Sequence, residues 1–363
     1  APATLGLLAP FAATANEVTI NDFNAAEEIA VTNSRVDGLE ARLNNFEAGS
    51  FSETTTASFT VDGILGFEDD DDAADPDTDD ATLATYSFQL DLNTSFTGED
   101  SLEIAIDAGN PGAGSINDIL DLNSAGDGLT VDGVTYSFPL GDKTTLFFGQ
   151  NTDGNKLFTQ ACVYGGPTDL LDDCGNVNAG ITGGAATVGG AYDFGNGLTA
   201  AFGAQTQQNT VFTEEGDDQY AINAAYTADK YAISLTYGVD ENAALTDENK
   251  FTALQGYYTP DGNLPSISVG YEWGDIGGAA DGADEQSSFF VGLTWAEVGP
   301  GSAGIAAGHS NTNENADELY QYEAYYAYPV NDSMTITPLI YTQDAAGDLD
   351  DTTGMMVKTS FKF

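Results

Sequence analysis

Basic residues are scarce. The 363-residue chain has 8 Lys and Arg against 58 Asp and Glu, a formal net charge of −50. Binding nucleic acid needs cations at phosphates, so no nucleic-acid partner is expected. Histidine occurs once, at His309, so no His-based metal site or triad can be built. No Gly-rich phosphate loop follows a strand pattern, and nothing pairs the many carboxylates into a hydrolase motif, so no catalytic residue, cofactor or metal is expected. No apolar run reaches about 18 residues, which excludes a membrane-spanning helix. A membrane barrel stays open, because its strands alternate apolar with polar residues. Cysteine occurs twice, at Cys162 and Cys174. An even count in an exported chain reads as a disulfide.

What the chain does have is aromatic: 17 Tyr and 20 Phe. Disordered acidic chains are poor in aromatics, so this one is expected to fold and to carry its charge on solvated surfaces. Residues 1–15 look like the apolar core of a signal peptide ending in Ala13-Thr14-Ala15, and the mature chain is expected to begin near Asn16. Residues 16–50 form a second segment. Within 24–47 the positions Ile29, Val36, Leu39, Leu43 and Phe46 share a stripe, the last four spaced three, four, three. That spacing is a coiled-coil rhythm, too short to stand alone, and it points to self-association as a trimer or to a lone amphipathic helix.

From residue 51 to 363 the period becomes two. Tyr231-Ile233-Leu235-Tyr237 and Ile267-Val269-Tyr271-Trp273 each alternate with small or polar residues, the signature of half-buried strands. About 16 such strands are expected. They are joined by eight long acidic connections, near 68–81, 108–128, 151–185, 207–218, 239–250, 275–286, 309–318 and 343–352, alternating with seven short turns. Outer-membrane barrels alternate long outer loops with short periplasmic turns in this way. Phe138, Phe194, Tyr226, Tyr231, Trp295 and Tyr328 crowd the short turns, where an interfacial girdle belongs. Side chains cannot fill a ring of 16 strands, so the polar face must line a lumen and the apolar face must meet lipid. The expected fold is an all-β transmembrane antiparallel barrel, preceded by a short coiled-coil helix. It ends TGMMVKTSFKF, where Met355, Val357, Phe361 and Phe363 share a face opposite Lys358, Ser360 and Lys362. A terminal strand closing on an aromatic resembles the recognition signal for outer-membrane insertion.

The segments SRVDGLEARLNNFEAGSFSETT (34–55), ACVYGG…DDCG (161–175) and YDFGNGLTAAFG (192–203), with the final Phe, resemble cyanobacterial outer-membrane porins, whose barrels are similar to carbohydrate-selective OprB-type porins. The resemblance runs from about residue 34 to the end. It implies a trimeric outer-membrane protein with its N-terminus in the periplasm, and a third outer loop that folds into the lumen, here 151–185 with both cysteines. Family members usually carry an S-layer-homology domain before the coiled coil. About 15 residues occupy that interval here, so that domain is expected to be missing.

Alternation places Asp62, Asp91, Glu103, Asp107, Asp193, Glu272 and Glu323 inside the barrel, with Lys358 and Lys362 as inward bases and Lys143 and Lys230 near the periplasmic mouth. Both arginines, Arg35 and Arg42, precede the barrel, so the arginine cluster common in general porins has no counterpart. A lumen of one charge sign concentrates counter-ions, so cations and small hydrophilic solutes are the expected passengers. The other reading is a structural or receptor-like surface barrel, an adhesin or phage-binding protein with a closed pore. The stretch EDDDDAADPDTDD (68–80) reads as a solvated acidic loop, or as a site for a hard divalent cation.

Overall fold

The computed structural model describes residues 55–363 apart from 70–81, 111–118, 121, 123–125, 170, 208–209, 212, 214–215, 242–246 and 348–349. The signal-like segment, the stripe Val36, Leu39, Leu43 and Phe46, and most of the 68–80 loop lie outside the described residues.

Sixteen strands follow one another: β1 (Thr55–Asp69), β2 (Thr82–Thr94), β3 (Ser101–Gly109), β4 (Thr130–Pro139), β5 (Thr144–Thr152), β6 (Ala185–Gly195), β7 (Leu198–Thr206), β8 (Asp218–Thr227), β9 (Tyr231–Glu241), β10 (Asn249–Tyr258), β11 (Ser266–Asp275), β12 (Glu285–Val298), β13 (Gly301–Asn313), β14 (Gln321–Asn331), β15 (Met334–Gln343) and β16 (Thr352–Lys362). Each pairs antiparallel with its neighbour in sequence, and β1 pairs with β16, so the sheet closes on itself. Closure leaves no strand edge unpaired, which lipid demands of any spanning sheet.

The burial of β9 shows which way the barrel faces. Ser234 and Thr236 are each 1% exposed, while Leu235 is 48% and Tyr237 39% exposed. A water-soluble fold would reverse that order. Large apolar side chains on the outer face and small polar ones on the inner face fit a barrel set in hydrocarbon. Near the short turns the expected ring of aromatics is present, with Phe194, Tyr226, Tyr231 and Tyr328 exposed and the Tyr226 and Tyr231 rings 6.1 Å apart.

The connections alternate as the sequence suggested, with a blunter contrast. β9 runs on to Glu241 and β13 to Asn313, so the loops 242–248 and 314–320 are no longer than the turn 259–265. The strands continue past the lipid-facing band as polar hairpins, and polar paired residues look like loop in a sequence. The β2–β3 turn is fastened by one carboxylate. Asp100 Oδ1 accepts from Ser95 Oγ (2.8 Å), Phe96 N (2.9 Å), Thr97 N (2.7 Å) and Thr97 Oγ1 (2.8 Å), and Oδ2 accepts from the Tyr136 hydroxyl of β4 (2.7 Å). Burial of Asp100 opposes ionisation, but these donors, led by Tyr136, prevail and hold its carboxyl well below the usual carboxylate range.

Candidate functional site

The loop between β5 and β6 (153–184) lies inside the barrel along its wall. Its path is set by backbone N–H groups that find side-chain acceptors on successive strands. Gly154 N donates to Gln205 Oε1 of β7 (3.1 Å), Thr159 N to Asn223 Oδ1 of β8 (3.1 Å), Ala161 N to Ser234 Oγ of β9 (3.1 Å) and Val163 N to Ser268 Oγ of β11 (3.0 Å). The polar inner face thus replaces the water that an irregular backbone would otherwise need. Two wall glycines let the loop in this close. A Cβ on Gly203 would run into the Gly154 carbonyl, and one on Gly270 into the Cys174 carbonyl. Cys162 and Cys174 form the expected disulfide, with Cα atoms 6.4 Å apart. Tyr164, Leu171 and Cys174 pack with Phe290 and Ala306 of the wall.

Two carboxylates expected to line the lumen hold this loop instead. Glu272, 1% exposed, accepts from Asn178 N (2.9 Å), Asn178 Nδ2 (2.7 Å) and Ala179 N (2.8 Å). Glu323, 4% exposed, accepts from the Tyr164 and Thr168 hydroxyls. Both lie on the inward face, as alternation placed them, but the loop covers them. They anchor the loop and do not meet lumen solvent. Within the loop, burial together with the neighbouring Asp172, Asp169, Glu272 and Asp153 charges pushes the Asp173 carboxyl up to about 7.

A second loop also enters, which the sequence reading did not foresee. Ile119, Leu120 and Leu122, between β3 and β4, pack with Ile64 of β1, Leu339 and Tyr341 of β15, and Met356 of β16. Burying three such side chains is worth about 1.5–3 kcal/mol each. The Ile119 carbonyl accepts from Asp169 N (2.7 Å), so the two loops are joined. The signal was there to read: apolar side chains inside an otherwise acidic connection.

The remaining expected lumen residues lie on the inward face. Asp62 pairs with Lys358 (3.2 Å), and Asp91 accepts from Gln89 Nε2 (3.0 Å). Asp107 accepts from the Thr130 hydroxyl, and Asp193 from Gly195 N (2.7 Å) at the short-turn end. Glu103 pairs with Lys156 (2.8 Å), a base that the sequence reading passed over. Lys143 donates to the Phe194 carbonyl (3.2 Å), and Lys230 pairs with Asp261, both at the short-turn end. A cavity of about 230 Å³ lies between β2–β5 and the start of the long loop, lined by Gln89, Asp91, Glu103, Thr135, Asn155 and Lys156 among others.

A closed 16-stranded ring, apolar outside and polar inside, with its longest loop folded along the inner wall, is the architecture of a porin. Known structures agree. Pseudomonas putida OprB superposes with a TM-score of 0.60 at 14% identity, covering 85% of this chain and 94% of that one. A variant of the Rh. blastica porin gives 0.57 at 13% identity, covering 85% and 100%. The chain has a porin fold. Its sequence matches no family model. An uncharacterized protein of Nostoc sp. is 25% identical over 416 aligned positions, 93% of this chain and 70% of that protein.

Proposed function

We propose that this porin-fold chain is an outer-membrane channel that passes ions and small hydrophilic solutes by diffusion and prefers cations. The observation that carries the reading is the charge of the inner face. Asp91, Asp107 and Asp193 stand on it with no lysine at ion-pair distance among the described residues, and Asp62 and Glu103 add two acids balanced by Lys358 and Lys156. A lumen with that excess draws cations electrostatically. The loops at its mouth are acidic too, with Asp217, Glu248, Asp281, Glu314 and Asp351 among their residues.

The porin folds to which it is similar support further parts of the reading. The barrel sits in outer-membrane lipid with the short turns and the N-terminus on the periplasmic side. It assembles as a homotrimer, with the stripe Val36, Leu39, Leu43 and Phe46 meeting on the three-fold axis. Carbohydrates are among the hydrophilic solutes in reach of such a lumen. No catalytic role, cofactor or metal enters this reading.

One observation favours a second reading. Two loops, not one, occupy the lumen and are bonded to each other, as a receptor-like barrel with a closed pore would require. Planar-bilayer recording separates the two. A channel gives stepwise current, and its reversal potential under a salt gradient takes the cation sign at low salt and shrinks toward 1 M, where the Debye length falls to about 3 Å. Absence of current favours the closed barrel, and anion preference at low salt refutes cation selectivity.

A further inference from the structure

The two inward loops do not cover the wall evenly. The long loop follows β7, β8, β9 and β11 through the bonds of Gly154, Thr159, Ala161 and Val163, and reaches β14 at Glu323 through Tyr164 and Thr168. Where it stops, the β3–β4 loop takes over. Ile119, Leu120 and Leu122 cover β15, β16 and β1, and the Asp169–Ile119 bond links one loop to the other. From β7 round to β1 the inner wall therefore faces protein. Among the described residues the least covered arc is β2–β5, beyond Leu83 of β2, which packs against the wedge, and the 230 Å³ cavity lies against it. Asp91, Glu103, Thr135, Asn151, Asn155 and Lys156 stand around that cavity, and Lys156 is its one base among the described residues. The Lys156 ammonium extends from the loop back to the Glu103 carboxylate on β3.

We propose that ions and solutes cross the narrow tier along the β2–β5 arc alone, and that Lys156 sets the charge selectivity of that passage. The proposal rests on the reading of the barrel as a conducting channel and narrows it from the summed lumen charge to one side chain. An ion beside the arc passes within a few ångströms of Lys156, where a unit charge acts with little screening. Lys358 is paired with Asp62 on the β16–β1 wall, where the apolar wedge lies, and so stands off the path.

The test compares reversal potentials of the full-length protein and its Lys156→Gln, Glu103→Gln and Lys358→Gln variants in planar bilayers under a KCl gradient at low mean salt, with folding checked by heat-dependent gel mobility. A unit charge about 5 Å from an ion in water changes its partition by about fourfold. Cation and anion shift in opposite senses, so K156Q is expected to raise the cation-to-anion permeability ratio by up to about sixteenfold. E103Q should lower the ratio, and K358Q should move it less than half as far as K156Q. Equal shifts in K156Q and K358Q mean that the whole lumen sets selectivity, which overturns the proposal. A conducting wild type with an unmoved K156Q overturns it as well and leaves the channel reading intact. A folded wild type that carries no current overturns both.

Discussion

Replacing Glu272 by alanine should release the second half of the inward loop. The carboxylate is 1% exposed and accepts three hydrogen bonds, two of them from the backbone of Asn178 and Ala179. Removing it strands two backbone N–H groups, each worth about 1–3 kcal/mol when left buried and unpaired, or about 2–6 kcal/mol together. Relief of the desolvation of Glu272 itself trims that toward the lower end. Even about 2 kcal/mol shifts the seated-to-released ratio roughly thirtyfold, since 1.36 kcal/mol is tenfold. The disulfide does not rescue the segment, because Asn178 lies beyond Cys174. Hydrogen exchange of the amides around 176–180 is the direct assay, with single-channel noise as its functional counterpart. Glu272→Gln keeps an acceptor and loses only charge assistance, so it should fall between wild type and alanine. Protection of these amides unchanged in E272A would refute the view that Glu272 holds the loop.

Gly270→Val should favour the strand yet displace the loop, because its side chain meets the Cys174 carbonyl; higher conductance with an intact barrel is the expected outcome. Reducing Cys162–Cys174 should raise open-channel noise without unfolding the barrel, since opening a loop of that length restores about 3 kcal/mol of chain entropy. Asp173 makes loop seating pH-dependent. Its carboxyl holds its proton to about 7 when seated and releases it near the ordinary value of about 3.9 when freed. The seated state thus binds the extra proton between those limits, so seating weakens as pH rises from about 4 to about 7 and levels off above. Current noise that rises over that window in wild type but stays flat in Asp173→Asn is the check.

The barrel was readable because lipid imposes a period of two on every strand, and β9 and β11 show it without a break. Glu272 and Glu323 mark where that reading stops. Alternation assigns a side chain to a face, but it does not say what will come to rest on that face. The inner polar residues Asn223, Ser234 and Ser268 looked like a wet wall, and they are instead the acceptors that hold a loop. Inward Ile64 and Met356 break the polar pattern for the same reason, since both belong to the apolar cluster that Ile119, Leu120 and Leu122 of the β3–β4 loop complete. Lys156 was missed because it follows β5 by only a few residues, in a stretch whose direction depends on the bond from Gly154 to Gln205. The disulfide was legible because only one pairing of two cysteines exists.

The seam between β1 and β16 has a kinetic consequence. Fifteen of the sixteen strand pairings join neighbours in sequence, and one joins residues about as far apart as the barrel allows, down to the mutual backbone bonds of Phe59 and Phe363. Hairpins can zip one after another at small entropic cost, because each new strand is tethered to the last. The seam cannot form until the final strand is in place, and until then both terminal strands expose unpaired backbone. Whatever assembles this barrel must shield two open edges for the whole of the zipping, and the release of that shield is coupled to a single late pairing event.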